Sequence, residues 1–188
     1  MSRSEVAYDK IMAVPTPQRP LIDLDIIRCP RRLWSVFAPH HYLDPHLHRA
    51  ATCFAGYWDG RLVAFCSWLP VTGPTKSRRV TRVVTLPDFQ GVGIGMAMVE
   101  VGAAMWVALG QKGTITAAHP SIIGACNRSP VWAMARKPSR ARGEDEGTFA
   151  KYIGKTRATH RLTTSFLYVG PAMDPTLADQ LRGEEPKL

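Results

Sequence analysis

The segment Arg82-Val83-Val84-Thr85-Leu86-Pro87-Asp88-Phe89-Gln90-Gly91-Val92-Gly93-Ile94-Gly95 constrains the fold of this chain more than any other. An apolar run of strand-forming residues reaches a proline. Gln90 and three alternating glycines follow, and an apolar stretch from Met96 to Leu109 comes next. The pattern predicts strand, tight loop, helix. Glycines let successive backbone N–H groups turn toward one point with no Cβ in the way. That point lies at a helix N-terminus, where unpaired N–H groups and the helix dipole favour an anion. The segment is therefore expected to cradle a phosphate or pyrophosphate.

Three kinds of glycine-rich loop do this. A P-loop needs Gly-Lys-Ser/Thr at its end, and here Gly95 is followed by Met96 and Ala97. A dinucleotide loop needs G-x-G-x-x-G and an acidic residue about 20 positions later, and neither is present. Gln90-Gly91-Val92-Gly93-Ile94-Gly95, after a strand ending in V-x-x-P, resembles the pyrophosphate loop of the GNAT acyltransferases. The resemblance implies that acyl-coenzyme A, with acetyl-coenzyme A the expected donor, binds at Gln90, Gly91, Val92, Gly93, Ile94, Gly95 and Met96. It also implies a splayed sheet with pantetheine lying against the backbone of Val83, Val84 and Thr85.

The rest of the sequence fits that class. A chain of 188 residues, 45% hydrophobic, can bury a proper core. No run of 18 apolar residues is present, so no membrane span is expected. The N-terminal residues Met1 to Val6 lack the apolar stretch of a secretory signal. Cys29, Cys53, Cys66 and Cys126 form no C-x-x-C pair and read as buried free thiols in a reducing compartment. The expected location is cytoplasmic, in a bacterial or phage-infected cell.

Net charge is +9. Lys76, Arg78, Arg79 and Arg82 cluster before the loop; Arg136, Lys137, Arg140 and Arg142 form a second group, and Lys151, Lys155, Arg157 and Arg161 a third. Such a surface attracts polyanions, DNA or RNA among them, or serves coenzyme A alone.

Along the chain, residues 1–20 carry three prolines and read as a loose arm. Strands are expected at Leu21–Arg28, Ala51–Trp58, Arg61–Leu69, Arg79–Leu86, Thr114–Ala118, Val131–Ala135 and Arg161–Val169. Asp59-Gly60 marks a hairpin. Helices are expected at Pro30–Phe37, Met96–Leu109 and Ser121–Asn127, and residues 137–159 as a polar excursion. This is an α/β (α+β) order, and it is the GNAT order: a central mixed, splayed sheet flanked by helices. The acyltransferase domain is placed at 21–170, with 171–188 a tail that starts helical.

His40-His41-Tyr42-Leu43-Asp44-Pro45-His46-Leu47-His48 holds four of the six histidines. It has three readings: a polar loop, an active-site segment using His41 and Tyr42, or a metal site using His41 with Asp44, His46 or His48. No metal is predicted. A narrower resemblance is to the Mom-type DNA-modification proteins of phages and related phage and bacterial GNAT proteins. It rests on His41-Tyr42-Leu43, Cys53-Phe54 with Asp59-Gly60, and Arg82, and it implies functional roles for His41, Tyr42 and Arg82. The chain departs from that group at Thr116-Ala117-Ala118-His119-Pro120 and in its richer glycine loop.

The resemblance implies direct transfer to an amine, with one group taking a proton and another returning one to the leaving thiolate. The tyrosine many GNAT enzymes use as that acid is absent from Ile122 to Pro130. Tyr42, His119 and Ser129 are the remaining candidates. The expected activity is N-acetyl transfer to an amine of a nucleobase or nucleic acid. A protein or small-molecule amine, or a binding module without catalysis, stays open, as does oligomeric state, with a dimer among the options.

Overall fold

The computed structural model describes residues 22–41, 45–139 and 162–183. Seven strands, β1 (Leu24–Cys29), β2 (Thr52–Trp58), β3 (Arg61–Val71), β4 (Ser77–Thr85), β5 (Lys112–Ala117), β6 (Trp132–Ser139) and β7 (Thr163–Tyr168), form one sheet in the order β1-β2-β3-β4-β5-β7-β6. Only β4 and β5 run parallel; every other pair is antiparallel. The hairpin expected at Asp59-Gly60 joins β2 to β3, and both residues take positive φ, as such a turn requires.

Among the described residues four helices pack on the sheet: α1 (Trp34–Phe37, flanked by short 3₁₀ turns), α2 (Ile94–Ala108), α3 (Pro120–Arg128) and α4 (Pro175–Gly183). The sheet has two unlike faces. Helix α2 covers one face, where Cys66, Trp68, Val80, Ile115 and Phe166 meet Met98, Val99 and Trp106. Cys126 of α3 and Ala178 of α4 join the same core. On the other face, α1 packs Trp34 and Phe37 over Cys53, Ala55, Phe65 and Val84. The contact between α2 and the sheet is close because Gly102 has no side chain. A Cβ there would lie 2.6 Å from Nε1 of the fully buried Trp68.

The segment expected to be a tail carries α4, which packs on α2 and β1 and buries Ala178 completely. Tyr42, residues 1–20 and most of the polar excursion, with Arg140, Arg142 and the third basic cluster, lie outside the described residues. All four cysteines are buried thiols, none of them in a disulfide. Burial pushes the Cys126 thiol up to about 11, with Glu100 adding to the shift, and burial raises Cys66 further still.

Two irregularities position the site. Strands β4 and β5 pair only from Ser77↔Lys112 to Val80↔Ile115 and then part. A bulge in the β3–β4 register sits where Ser67↔Arg82 gives way to Trp68↔Val80, leaving Thr81 as the extra residue.

Candidate active site

The parting of β4 and β5 opens a groove of about 2030 Å³ that runs from the glycine loop to the sheet face carrying α1. After β4, Leu86 N–H donates to the Val63 carbonyl at 2.9 Å and Pro87–Phe89 makes one 3₁₀ turn. Gly91 (φ 85°) and Gly93 (φ 102°) then take left-handed conformations. Gly93 is the N-cap of α2, so the helix starts two residues before the expected Met96. No side chain caps it. The first-turn N–H groups of Ile94, Gly95 and Met96 therefore have no intrahelical acceptor, and these residues line the groove. Gly95 lies against β4, where a Cβ would stand 3.2 Å from Thr85 Oγ1.

The loop residues divide their work. Ile94 is buried and Val92 half-buried, so their side chains hold the loop to the core, and both residues line the groove. Gln90 Nε2 donates to the Thr85 carbonyl at 2.9 Å, tying the loop to the end of β4. Backbone groups on a strand alternate sides. Since Leu86 N–H points at β3, the polar groups of Val84 do too, and those of Val83 and Thr85 point into the gap. The Gln90 bond to Thr85 agrees with this. Of the three backbone positions expected to face pantetheine, Val83 and Thr85 present their groups to the gap and Val84 does not.

The histidine segment is strapped to α1 and β4 through its backbone. Trp34 Nε1 donates to the Pro45 carbonyl, Arg82 donates to the His46 carbonyl at 2.6 Å, and Arg31 donates to the Leu47 carbonyl at 2.8 Å. Arg82 also donates to its neighbour Thr81 and stacks 5.9 Å from the Trp34 ring. His41 lines the groove with its ring edge-on to Trp34 at 5.5 Å. Arg82 and His41 thus share one aromatic floor.

His119 lines the other wall. It is the N-cap of α3, and its Nδ1 accepts from Ser121 N–H at 3.3 Å, which leaves Nε2 to carry the proton of the neutral ring. Ser129, at the end of α3, donates to Glu100 Oε1 at 3.1 Å, and Trp132 Nε1 donates to the same oxygen at 3.2 Å. Glu100 was not among the expected site residues. Its signal is plain in the sequence: it is the one charged residue in the apolar run Met96–Leu109.

Among the described residues, Glu100 is also the only carboxylate lining the groove, against six arginines (Arg31, Arg49, Arg79, Arg82, Arg128, Arg136) and five histidines. The groove is built for anions. Among the described residues, no group of three or more His, Cys, Asp or Glu is set to hold a metal. Asp44, one ligand considered from sequence, lies outside them. No described helix is long and apolar enough to cross a membrane.

The residues present fit coenzyme A. Uncapped N–H groups at a glycine-lined helix N-terminus suit a pyrophosphate, and a half-open strand edge suits the amides of pantetheine.

Comparison with known proteins agrees. The acetyltransferase (GNAT) family model matches residues 21–116, just over half of the chain. No curated protein sequence matches it. Among solved structures it is similar to the spermidine/spermine N-acetyltransferase of Vibrio cholerae at 10% identity and TM-score 0.55, covering 78% of this chain and 92% of that one. The ribosomal-protein-S18-alanine N-acetyltransferase of Escherichia coli matches at 12% identity and TM-score 0.53, over 81% and 97%. A GNAT acetyltransferase of Elizabethkingia anophelis with acetyl-coenzyme A bound matches at 8% and 0.55, over 78% and 98%.

Proposed function

Because the chain belongs to the acetyltransferase (GNAT) family, we propose that it moves an acetyl group from acetyl-coenzyme A to an amine carried by a nucleobase or nucleic acid. Acetyl-coenzyme A supplies the activated acyl group. The chain's own residues have to bind it, hold the acceptor, and take and return one proton. Gly91 to Met96 hold the pyrophosphate through backbone N–H groups, while Val83 and Thr85 offer the strand edge.

The charge of the groove carries the choice of acceptor. Among the described residues six arginines and one carboxylate line it, and that carboxylate already accepts from Ser129 and Trp132. A polyamine acceptor would meet repulsion from the arginines and find no free pair of carboxylates. An acceptor that carries its amine beside phosphates meets attraction instead. The resemblance of His41, Tyr42 and Arg82 to the Mom-type proteins points the same way.

Roles follow from position. In this reading His41, whose ring packs against Trp34, takes the proton of the acceptor amine. In the same reading His119 offers its Nε2–H as a hydrogen bond to the leaving sulfur, and Tyr42, by the resemblance, returns the proton. Ser129 already donates to Glu100, so it serves best as an orienting group. Arg82 acts on the histidine segment by fixing the His46 carbonyl, a positioning role.

The test is mass spectrometry of nucleosides from cells making the protein, beside cells making Gly93→Glu. An acetylated nucleoside only with the intact loop is the expected result. Labelled acetyl groups found only on protein or on small amines would overturn the nucleic-acid reading.

A further inference from the structure

Resting on that reading, we propose that a single nucleic-acid strand lies across the face of β4, β5, β7 and β6 opposite to α2, held by its phosphates. The face is defined by alternation and register. Ile115, Phe166 and Trp132 point into the α2 core, so their strand neighbours point away from it. Thr116 stands opposite Ser165, and Ser165 opposite Arg136. The Thr116 and Ser165 hydroxyls share a hydrogen bond of 2.9 Å, and across the gap Ser67 and Thr81 share one of 3.0 Å. A row of hydroxyls therefore crosses the sheet, with Arg136 at one end and Arg79 and Arg82 at the other.

Arg136 leans along the row to Thr163 Oγ1 at 3.2 Å. The Arg79 side chain makes no hydrogen bond or ion pair among the described residues. Among the described residues, helices α2, α3 and α4 pack on the opposite face, and α1 covers β1–β3 and the Val84 end of β4. The gap between β4 and β5 joins this face to the glycine loop in one continuous groove.

Size and chemistry choose the occupant. Arg136 on β6 and Arg79 on β4 stand three strand spacings apart, roughly 14 Å at about 4.8 Å each. With Arg136 held at Thr163, the two guanidiniums serve separate phosphates in this proposal, so the proposed ligand carries at least two. No aromatic side chain of the four strands points to this face, so bases find nothing to stack on and the contacts go to the backbone. The target base must leave its neighbours to bring its amine into the gap, and a single strand gives it up at least cost.

The experiment measures binding of a mixed-sequence 12-nucleotide single-stranded DNA, and of the same length of RNA, to the full chain at several salt concentrations. Arg79→Gln and Arg136→Gln each remove one exposed cation, and thermal melting checks that the fold is intact. Each is expected to weaken binding about tenfold, as loss of a charge-assisted bond does. The double variant should lower the salt slope by about 1.4, at about 0.7 per contact on a single strand. Acetyl-coenzyme A affinity should stay unchanged in both. Wild-type binding that neither variant alters would overturn this platform and leave the acceptor class standing. A mononucleotide that binds as tightly as the 12-mer would overturn the strand. No wild-type binding to either strand, with nucleosides unmodified in cells, would remove the acceptor reading itself.

Discussion

Gly93→Glu separates binding from folding at the loop. Gly93 sits at φ 102° and ψ −2°, a conformation side chains avoid, and it caps α2. Forcing a side chain there costs about 1–3 kcal/mol of stability. A carboxylate at a helix N-terminus returns about 0.3–1 kcal/mol through the dipole. The net loss is about 1–2 kcal/mol, a fall in melting temperature of about 2–8 °C for a chain of this size. Binding suffers more. A carboxylate about 4 Å from one pyrophosphate charge is repelled by about 4 kcal/mol at an effective dielectric near 20. Salt and exposure screen this, yet half of it still weakens affinity about thirtyfold. Gly93→Ala carries the backbone strain without the charge and should lose less than about tenfold. Calorimetry with coenzyme A and a thermal melt read both quantities. Wild-type affinity in Gly93→Glu would refute the anion cradle. Equal losses in the two variants would show that backbone shape, not charge, sets affinity.

Gly102→Ala puts a Cβ 2.6 Å from the indole of Trp68; overpacking should exceed the gain in helix propensity and lower the melting temperature, and a raised one would show that Trp68 gives way. Burial holds the Cys126 thiol protonated, its value rising from 9.0 to about 11. The unfolded thiol ionises first, so stability is intact below pH 9 and falls between pH 9 and 11. Melts of the wild type and Cys126→Ala across that range should diverge, and parallel curves would exclude the thiol. His41→Ala and Tyr42→Phe should each slow turnover about 10²- to 10⁴-fold while coenzyme A affinity and melting temperature hold. Full turnover in Tyr42→Phe assigns the acid to His119 or Ser129, and unfolding of His41→Ala would make that residue structural.

The parts of the fold legible in the sequence were those with a local cause. Asp59-Gly60 can only turn, and the strands beside it alternate or run apolar, so β2 and β3 fell near their observed bounds. The loop was legible because three glycines before an apolar helix leave few conformations. The start of α2 was misplaced by two residues because a glycine backbone, not a capping side chain, begins it. The tail was underestimated because nothing around Ala178 announces that it meets α2 and β1. Glu100 was passed over although a lone charge in an apolar helix needs a reason. Side chains meeting across strands far apart in sequence, such as Thr116 with Ser165, leave no local trace.

The bulge at Thr81 shows why the basic cluster before the loop could not be read from spacing. On a regular strand, Val80, Arg82 and Val84 would share one face, and Arg79 would share the other with Val83. Val84 packs under α1. Without the bulge, Val80 would therefore leave the α2 core, and Arg79 would enter it. One extra residue reverses the register of everything before it. Val80 joins Val83 against α2, as observed. Arg78 follows to that side, where it stacks 4.4 Å from Trp106 and bonds Gln111, so it is no part of the groove. Arg79, Thr81 and Arg82 gather on the opposite face. The same irregularity lies where β4 stops pairing with β5, after Val80↔Ile115. One inserted residue thus accompanies the opening of the gap and sorts the arginines, two toward the groove and one to the α2 side of the sheet. Sequence spacing gives their number, and only the register gives their side.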